Sequence, residues 1–419
     1  MLDRKDCRKV TRRAALGRLL AAAAAMETCC RVGHGQESSR GPARGVAASG
    51  GKLVERLPSG CEIWQVTTER LNQSNIYCEA IYCSGDSRYF VYERTAAKPS
   101  ANPTEFMVVE LGTWKQHLLD TGVSLEGCAM TREGVFYYVK RGPNKTLQLR
   151  RADLAAGRPE TVYCRKDEPW VESLGTVSPD GRSYAGMVRL DRQWKMFGIV
   201  VADLGKHEES ILDRDPFIFN AHPQFEPVRG HEMLIQHNRG GKYTTDGKLE
   251  CLVGPEGATL YLLSVPAGKR TELEVGTPFT TPITGHEAWI GRTGEILLSV
   301  TPSGTFAPEK GNLLAVRSGS AARVVARGYR FNHVGVSLCG EFFCCDDWQG
   351  AGKLVVGSIK TGKTAVVCES RASLAGPQNT HPHAYLTPDL RWVIFNSDRS
   401  GFPHIHAASI PEGLLKGLA

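Results

Sequence analysis

The chain has 419 residues, 41% hydrophobic and 23% charged, which suits two or three average domains or one large β architecture. Its net charge of +7 is concentrated at the N-terminus: residues 1–31 carry eight Lys and Arg against three acidic residues, leaving about +2 for the rest. So weak a bias excludes nucleic acid as an expected partner. The lack of a long apolar run further on excludes an internal membrane span.

The N-terminal segment "TRRAALGRLLAAAAAM" joins paired arginines to an apolar run from Ala14 to Met26. It resembles a twin-arginine export signal, with Thr11-Arg12-Arg13 and Leu16 in place and Ala15 where the usual Phe would stand. Residues 1–50 are therefore expected to be leader and linker, and the mature protein to be periplasmic. Ten cysteines follow residue 30 without any C-x-x-C pair, so a zinc ribbon is unsupported. Those in strand-like runs such as Phe342-Phe343-Cys344-Cys345 read as buried free thiols, although export would permit a few disulfides.

From residue 51 onward strand and turn signals recur in one order, with little amphipathic helical periodicity. Repeating units span 80–120, 129–163, 175–213, 222–275 (with a longer insert), 285–326, 333–369 and a last one from His383 to Gly413. Turns such as Thr387-Pro388-Asp389 separate the strands, because Pro presets φ and Asp bonds its own backbone. Seven units over about 350 residues predict an all-β fold, a seven-bladed β-propeller occupying residues 51–419. The spare strand "CEIWQVTT" (61–68) is expected to complete the last blade and close the ring.

"GSIKTGKT" (357–364) matches the phosphate-binding-loop pattern, but β-favouring Ala365-Val366-Val367 follows it rather than a helix. It reads as a hairpin turn between the outer strands of a blade. G-x-S-x-G does not occur, so no hydrolase module is expected behind the propeller.

His222, His286, His333, His381 and His383 stand at unit starts, where the first strand of each blade lines the channel. His117, His207, His231, His404 and His406 fall in later strands or outer turns and read as surface residues. His222 is expected to make a local cap or an inter-blade hydrogen bond. If residues 381–383 are extended, His381 and His383 point the same way, and Gln378 just before them can add a carbonyl oxygen. His333 from the preceding blade would complete three nitrogens and one oxygen, a set suited to Mn²⁺, Fe²⁺ or Zn²⁺ more than Mg²⁺.

Gln378-x-x-His381-x-His383, with His333 one blade earlier and His286 one before that, resembles oligogalacturonate lyase. The likeness extends over most of the chain after residue 60, including "IYCEAIYCSGDSRYFVYER". It implies a seven-bladed propeller holding Mn²⁺ through His333, Gln378, His381 and His383, with His286 as the catalytic base. Oligogalacturonides, and with them pectin breakdown, would be the substrates. The family carries an arginine near the base, but the matching strand "ATLYLLSV" (258–265) has none. Arg239, in the loop "HNRGG", is the candidate to take its place. Two rival expectations remain: a non-catalytic TolB-like propeller that binds or scaffolds in the cell envelope, with histidines spread apart, and a metal-dependent hydrolase or isomerase on the same platform.

Overall fold

The computed structural model describes residues 50–124, 126–166 and 170–419. The expected export signal lies outside them. Seven antiparallel sheets follow one another along the chain as the blades of a β-propeller. Six of the seven units begin within two residues of where the repeat places them. Blade two starts at Ala129, three at Thr176, four at Gln224, five at Ile283, six at Phe331 and seven at Tyr385. First strands of successive blades lie against one another around the channel. No helix among the described residues is long and apolar enough to cross a membrane.

Ring closure follows the expected route with one addition. Glu62–Gln65 pairs with His404–Ser409, so N-terminal residues supply the fourth strand of blade seven. Lys52–Arg56 then adds a fifth strand outside it. Joining the two chain ends removes edge groups that would otherwise be unpaired. The phosphate-loop lookalike is a hairpin: Lys353–Ser358 turns through Gly362, at φ +70°, into Thr364–Glu369. Alternating apolar residues bury between neighbouring blades, among them Phe90, Phe106 and Phe136 between blades one and two. Each such side chain contributes about 1.5–3 kcal/mol. Eight of the ten cysteines among the described residues are buried, and no disulfide joins any two of them.

Blade one departs from the repeat. Its first strand is Gln73–Ser74, and pairing with the second strand resumes only at the isolated bridge Cys83–Phe90. Residues 75–82 therefore face only Val91 and Tyr92 and bulge out of the ladder. A bulge re-aims side chains, and this one carries Tyr77 and Glu79.

His404 and His406, expected at the surface, are buried in the third strand of blade seven, which is covered on both faces. His404 bonds Thr67 at 3.3 Å, and His406 lies over the Phe395 ring. Burial pushes the His406 imidazole down to about 3, so it remains neutral.

Burial also raises a carboxyl in blade one. Glu93 is pushed up to about 7 by burial and then by Glu126, and its Oε2 has no hydrogen-bond partner. A folded pKa above the unfolded 4.5 means that the native state holds this proton more tightly. Its contribution is favourable at low pH and is lost as pH rises from 4.5 through about 7. Glu93→Gln is therefore expected to stabilise the protein by about 1–3 kcal/mol at pH 8 and to do little at pH 4.5, read from denaturant midpoints at both pH values.

Candidate metal centre and base

Three imidazoles from blades six and seven converge at one end of the channel. His333, His381 and His383 each offer a ring nitrogen, and these atoms lie within 4.8 Å of one another. The ring centroids stand 4.5 Å apart for His333 and His383, 5.5 Å for His333 and His381, and 5.7 Å for His381 and His383.

The convergence is not the extended-strand alternation expected from spacing. Residues 378–380 form a 3₁₀ turn, and the strand begins only at Tyr385. His381 is extended, Pro382 fixes its own φ, and His383 takes a left-handed backbone at φ +41°. A left-handed non-glycine residue costs of order 1 kcal/mol and persists only where its surroundings impose it. Here each carbonyl of 381–383 accepts a hydrogen bond. Asn396 Nδ2 donates to His381 at 3.0 Å and Asn396 N to Pro382 at 2.9 Å. Asn75 Nδ2, from the blade-one bulge, donates to His383 at 2.6 Å.

Hydrogen bonds also orient the rings. Asp346 is fully buried and accepts from both His333 N, at 2.8 Å, and His333 Nδ1, at 2.7 Å. That leaves Nε2 with its lone pair, the carboxylate–histidine arrangement that supports metal ligands. His381 Nε2 donates to the Gly376 carbonyl at 3.1 Å, so Nδ1 is the unshared nitrogen, and it has no partner. His383 is buried with neither ring nitrogen hydrogen-bonded. Buried polar atoms are normally satisfied, so these orphaned nitrogens fit a cation. Burial, and then the neighbouring imidazoles, push His383 well below its ordinary pKa; burial and His333 also lower His381. Both present neutral rings, as metal ligation requires. Trp348 packs edge-on against His333 and His381 and shields them.

Gln378 opens the 3₁₀ turn three residues before His381 and is exposed. Only its backbone, which accepts from His381 N, ties it to the cluster.

His286 stands beside the three, its ring centroid 4.2 Å from that of His333. The preceding Gly285 has φ +89°, and pairing shifts register between Ile283 and Glu287, so His286 sits in a bulge. A corresponding shift between Phe331 and Val334 flanks His333. The tautomer of His286 follows from a hydroxyl chain. Ser299 Oγ donates to the Asn332 carbonyl at 2.6 Å and accepts from Thr284 Oγ1. Thr284 Oγ1 must then accept from His286 Nδ1, 3.0 Å away, which leaves Nε2 as the basic atom. Burial first, then the surrounding histidines, push His286 well below its ordinary pKa.

Arg239 does not join this group. Its Nε donates to Gly257 at 2.8 Å, Nη1 to Thr277 at 3.0 Å and Nη2 to Glu256 at 2.7 Å, all backbone carbonyls. It fastens the blade-four insert instead.

Several residues here had no motif to announce them. Tyr77 packs against His383 at 4.6 Å, His222 at 5.2 Å and His286 at 6.2 Å. Burial and nearby carboxylates raise its phenol, so it keeps its proton. His222 makes both a local and an inter-blade bond: its Nε2 meets Asn220 Oδ1 at 3.2 Å, and its Nδ1 meets Glu79 Oε1, from the blade-one bulge, at 2.8 Å. Glu287, fully buried with both oxygens unpaired, is pushed well above the carboxylate range by burial and by Glu79. Of these, His222 stood at a unit start, and Asp346 left a trace as a charge closing the apolar strand "FFCCDD".

Fold and site together define a seven-bladed propeller with a histidine cluster, at one end of its channel, that could hold a metal ion. Its architecture is that of oligogalacturonate lyase. The oligogalacturonate lyase from Vibrio parahaemolyticus superposes with a TM-score of 0.67 at 16% identity, covering 88% of this chain and 100% of that one. A structure of oligogalacturonate lyase in complex with manganese gives 0.66 at 17%, covering 88% and 98%. Oligogalacturonide lyase from Pectobacterium atrosepticum is 38% identical over 65 residues, 15% of this chain and 17% of that protein. No family model matches the sequence.

Proposed function

We propose that this chain is a metal-dependent lyase that cleaves short uronate oligosaccharides, oligogalacturonides first among them, by β-elimination. The observation that carries the reading is the juxtaposition of three imidazoles with unshared nitrogens and a fourth, His286, whose free Nε2 is basic and neutral. The manganese held by a structurally similar lyase supports manganese as the cation here. His333, His381 and His383 would hold it; the Gln378 carboxamide, on an exposed turn, would have to swing inward to add a fourth donor. The export-like N-terminus supports a periplasmic site of action.

A cation at this position would neutralise the C6 carboxylate of a uronate and stabilise the charge that develops as the C5 proton leaves. His286 Nε2 accepts that proton, held in place through Thr284 and Ser299. The C5–H electron pair becomes the C4–C5 double bond. The C4–O4 bond breaks, and the departing oxygen takes a proton from water. Tyr77 keeps its proton beside His286 and would donate a hydrogen bond to the sugar, where the family uses arginine.

Purified protein with Mn²⁺ and digalacturonate is expected to generate the ultraviolet absorbance of a 4,5-unsaturated product. A saturated product would identify a hydrolase. No product from any uronide, with metal still bound, would leave a binding propeller.

A further inference from the structure

The first strands that start at the histidines end in a second cavity. In blade six the strand runs from His333 to Val336; in blade five it continues past His286 to Trp289; in blade four it leads from His222 to Phe225. Val336, Trp289 and Phe225 all line a cavity of about 330 Å³. At about 3.3 Å per residue, three residues carry each strand roughly 10 Å, so the cavity opens on the far end of the channel, and only its inner end, at Glu79, reaches back to the His222 ring.

Its chemistry is polarised. Glu79, bonded to His222, lies at the inner end. The walls are apolar and include the indole of Trp289, which donates from Nε1 to the Gln224 carbonyl at 3.2 Å. Two arginines stand at the outer turns: Arg132, from blade two, and Arg292, from blade five. Arg132 is steadied by the Leu338 carbonyl and has Glu133 as a neighbour. Arg292 is exposed, and no carboxylate pairs with it among the described residues. Both guanidiniums line this end of the cavity; burial first, and then the Arg292 charge, lower the pKa of Arg132. Glu133 lines the same end, so two guanidiniums stand against one carboxylate at the mouth of a concave, partly apolar site, a balance that favours an anion there.

We infer that this cavity binds a small hydroxylated carboxylic acid, of sugar-acid size. Its carboxylate lies between Arg132 and Arg292, its ring packs on Trp289, and its hydroxyls donate inward to Glu79. An inorganic anion would leave the Trp289 wall unused, and a neutral sugar would leave the guanidiniums unpaired. The site stands independently of the lyase reading, because none of the three cluster histidines lines it.

Calorimetric titration of the full chain with free galacturonate tests this, with and without chelator. Saturable binding is expected to survive chelation, which would abolish any carboxylate binding through a metal at the histidines. Arg292→Glu, at an exposed turn position, is expected to weaken binding about tenfold or more. Arg132→Gln serves as a second variant with the same expectation, and galactose is expected not to bind. Binding that requires metal, an unchanged affinity in both variants, equal binding of galactose, or no saturation by galacturonate would overturn the assignment. Absence of lyase product would leave it standing.

Discussion

Replacing His286 with alanine is expected to lower kcat by about 10²–10⁴-fold, the range for losing a positioned general base, while manganese affinity changes little. The ring is basic through Nε2 because the Thr284–Ser299–Asn332 chain commits Nδ1. It is neutral because burial and four nearby histidines disfavour its protonated form. The active form is the deprotonated one, and its pKa lies well below 6.5. The acidic limb of kcat/KM is therefore expected below pH 6.5, with activity flat from there to neutrality and lost only as pH falls through the lowered value. Steady-state pH profiles, with metal content measured on the same samples, check this. A His286→Ala protein that keeps both metal and full turnover would remove the residue from the reaction.

Replacing His383 with alanine is expected to abolish metal binding and activity together. His383 is buried with both nitrogens unsatisfied, and burying such atoms costs about 1–3 kcal/mol apiece. Without metal, the wild-type protein bears that cost, so His383→Ala is expected to melt no lower than the metal-free parent. The outcome for the loaded protein is the opposite. Manganese at about 100 times its Kd would stabilise the wild type by about 2.7 kcal/mol, roughly 3 °C in a chain of this size. The variant would gain nothing. Melting curves with chelator and with manganese read both arms. A metal-induced shift that persists in the variant would place the cation elsewhere.

These two residues also show how unevenly the site could be read. His286 and His333 announce themselves as polar residues at the start of repeating units. His381 and His383 do so by spacing, yet their rings converge through a geometry other than the one the spacing argument assumed. Alternation along a strand would align them, but no strand is present at 381–383. The two rings meet because Pro382 and a left-handed His383 make a turn that Asn75 and Asn396 hold in place. Arg239 illustrates the reverse. Its type and position suited a catalytic role, but its fate depended on which backbone carbonyls the insert left nearby.

Local pattern determined the number of blades, their order and the ring closure, since alternating apolar residues and turn chemistry act over a few positions and repeat along the chain. It also determined that imidazoles would gather at the starts of the first strands. Tertiary structure alone decided which nitrogens are free, because that depends on partners distant in sequence: Asp346 for His333, Gly376 for His381 and none for His383. It alone decided that the blade-one bulge delivers Tyr77 and Glu79 into the channel, since a bulge exists only relative to the strand it fails to pair. Hydrogen-bond direction and desolvation belong to the assembled ring, and through them a set of histidines becomes a neutral base beside three candidate ligands.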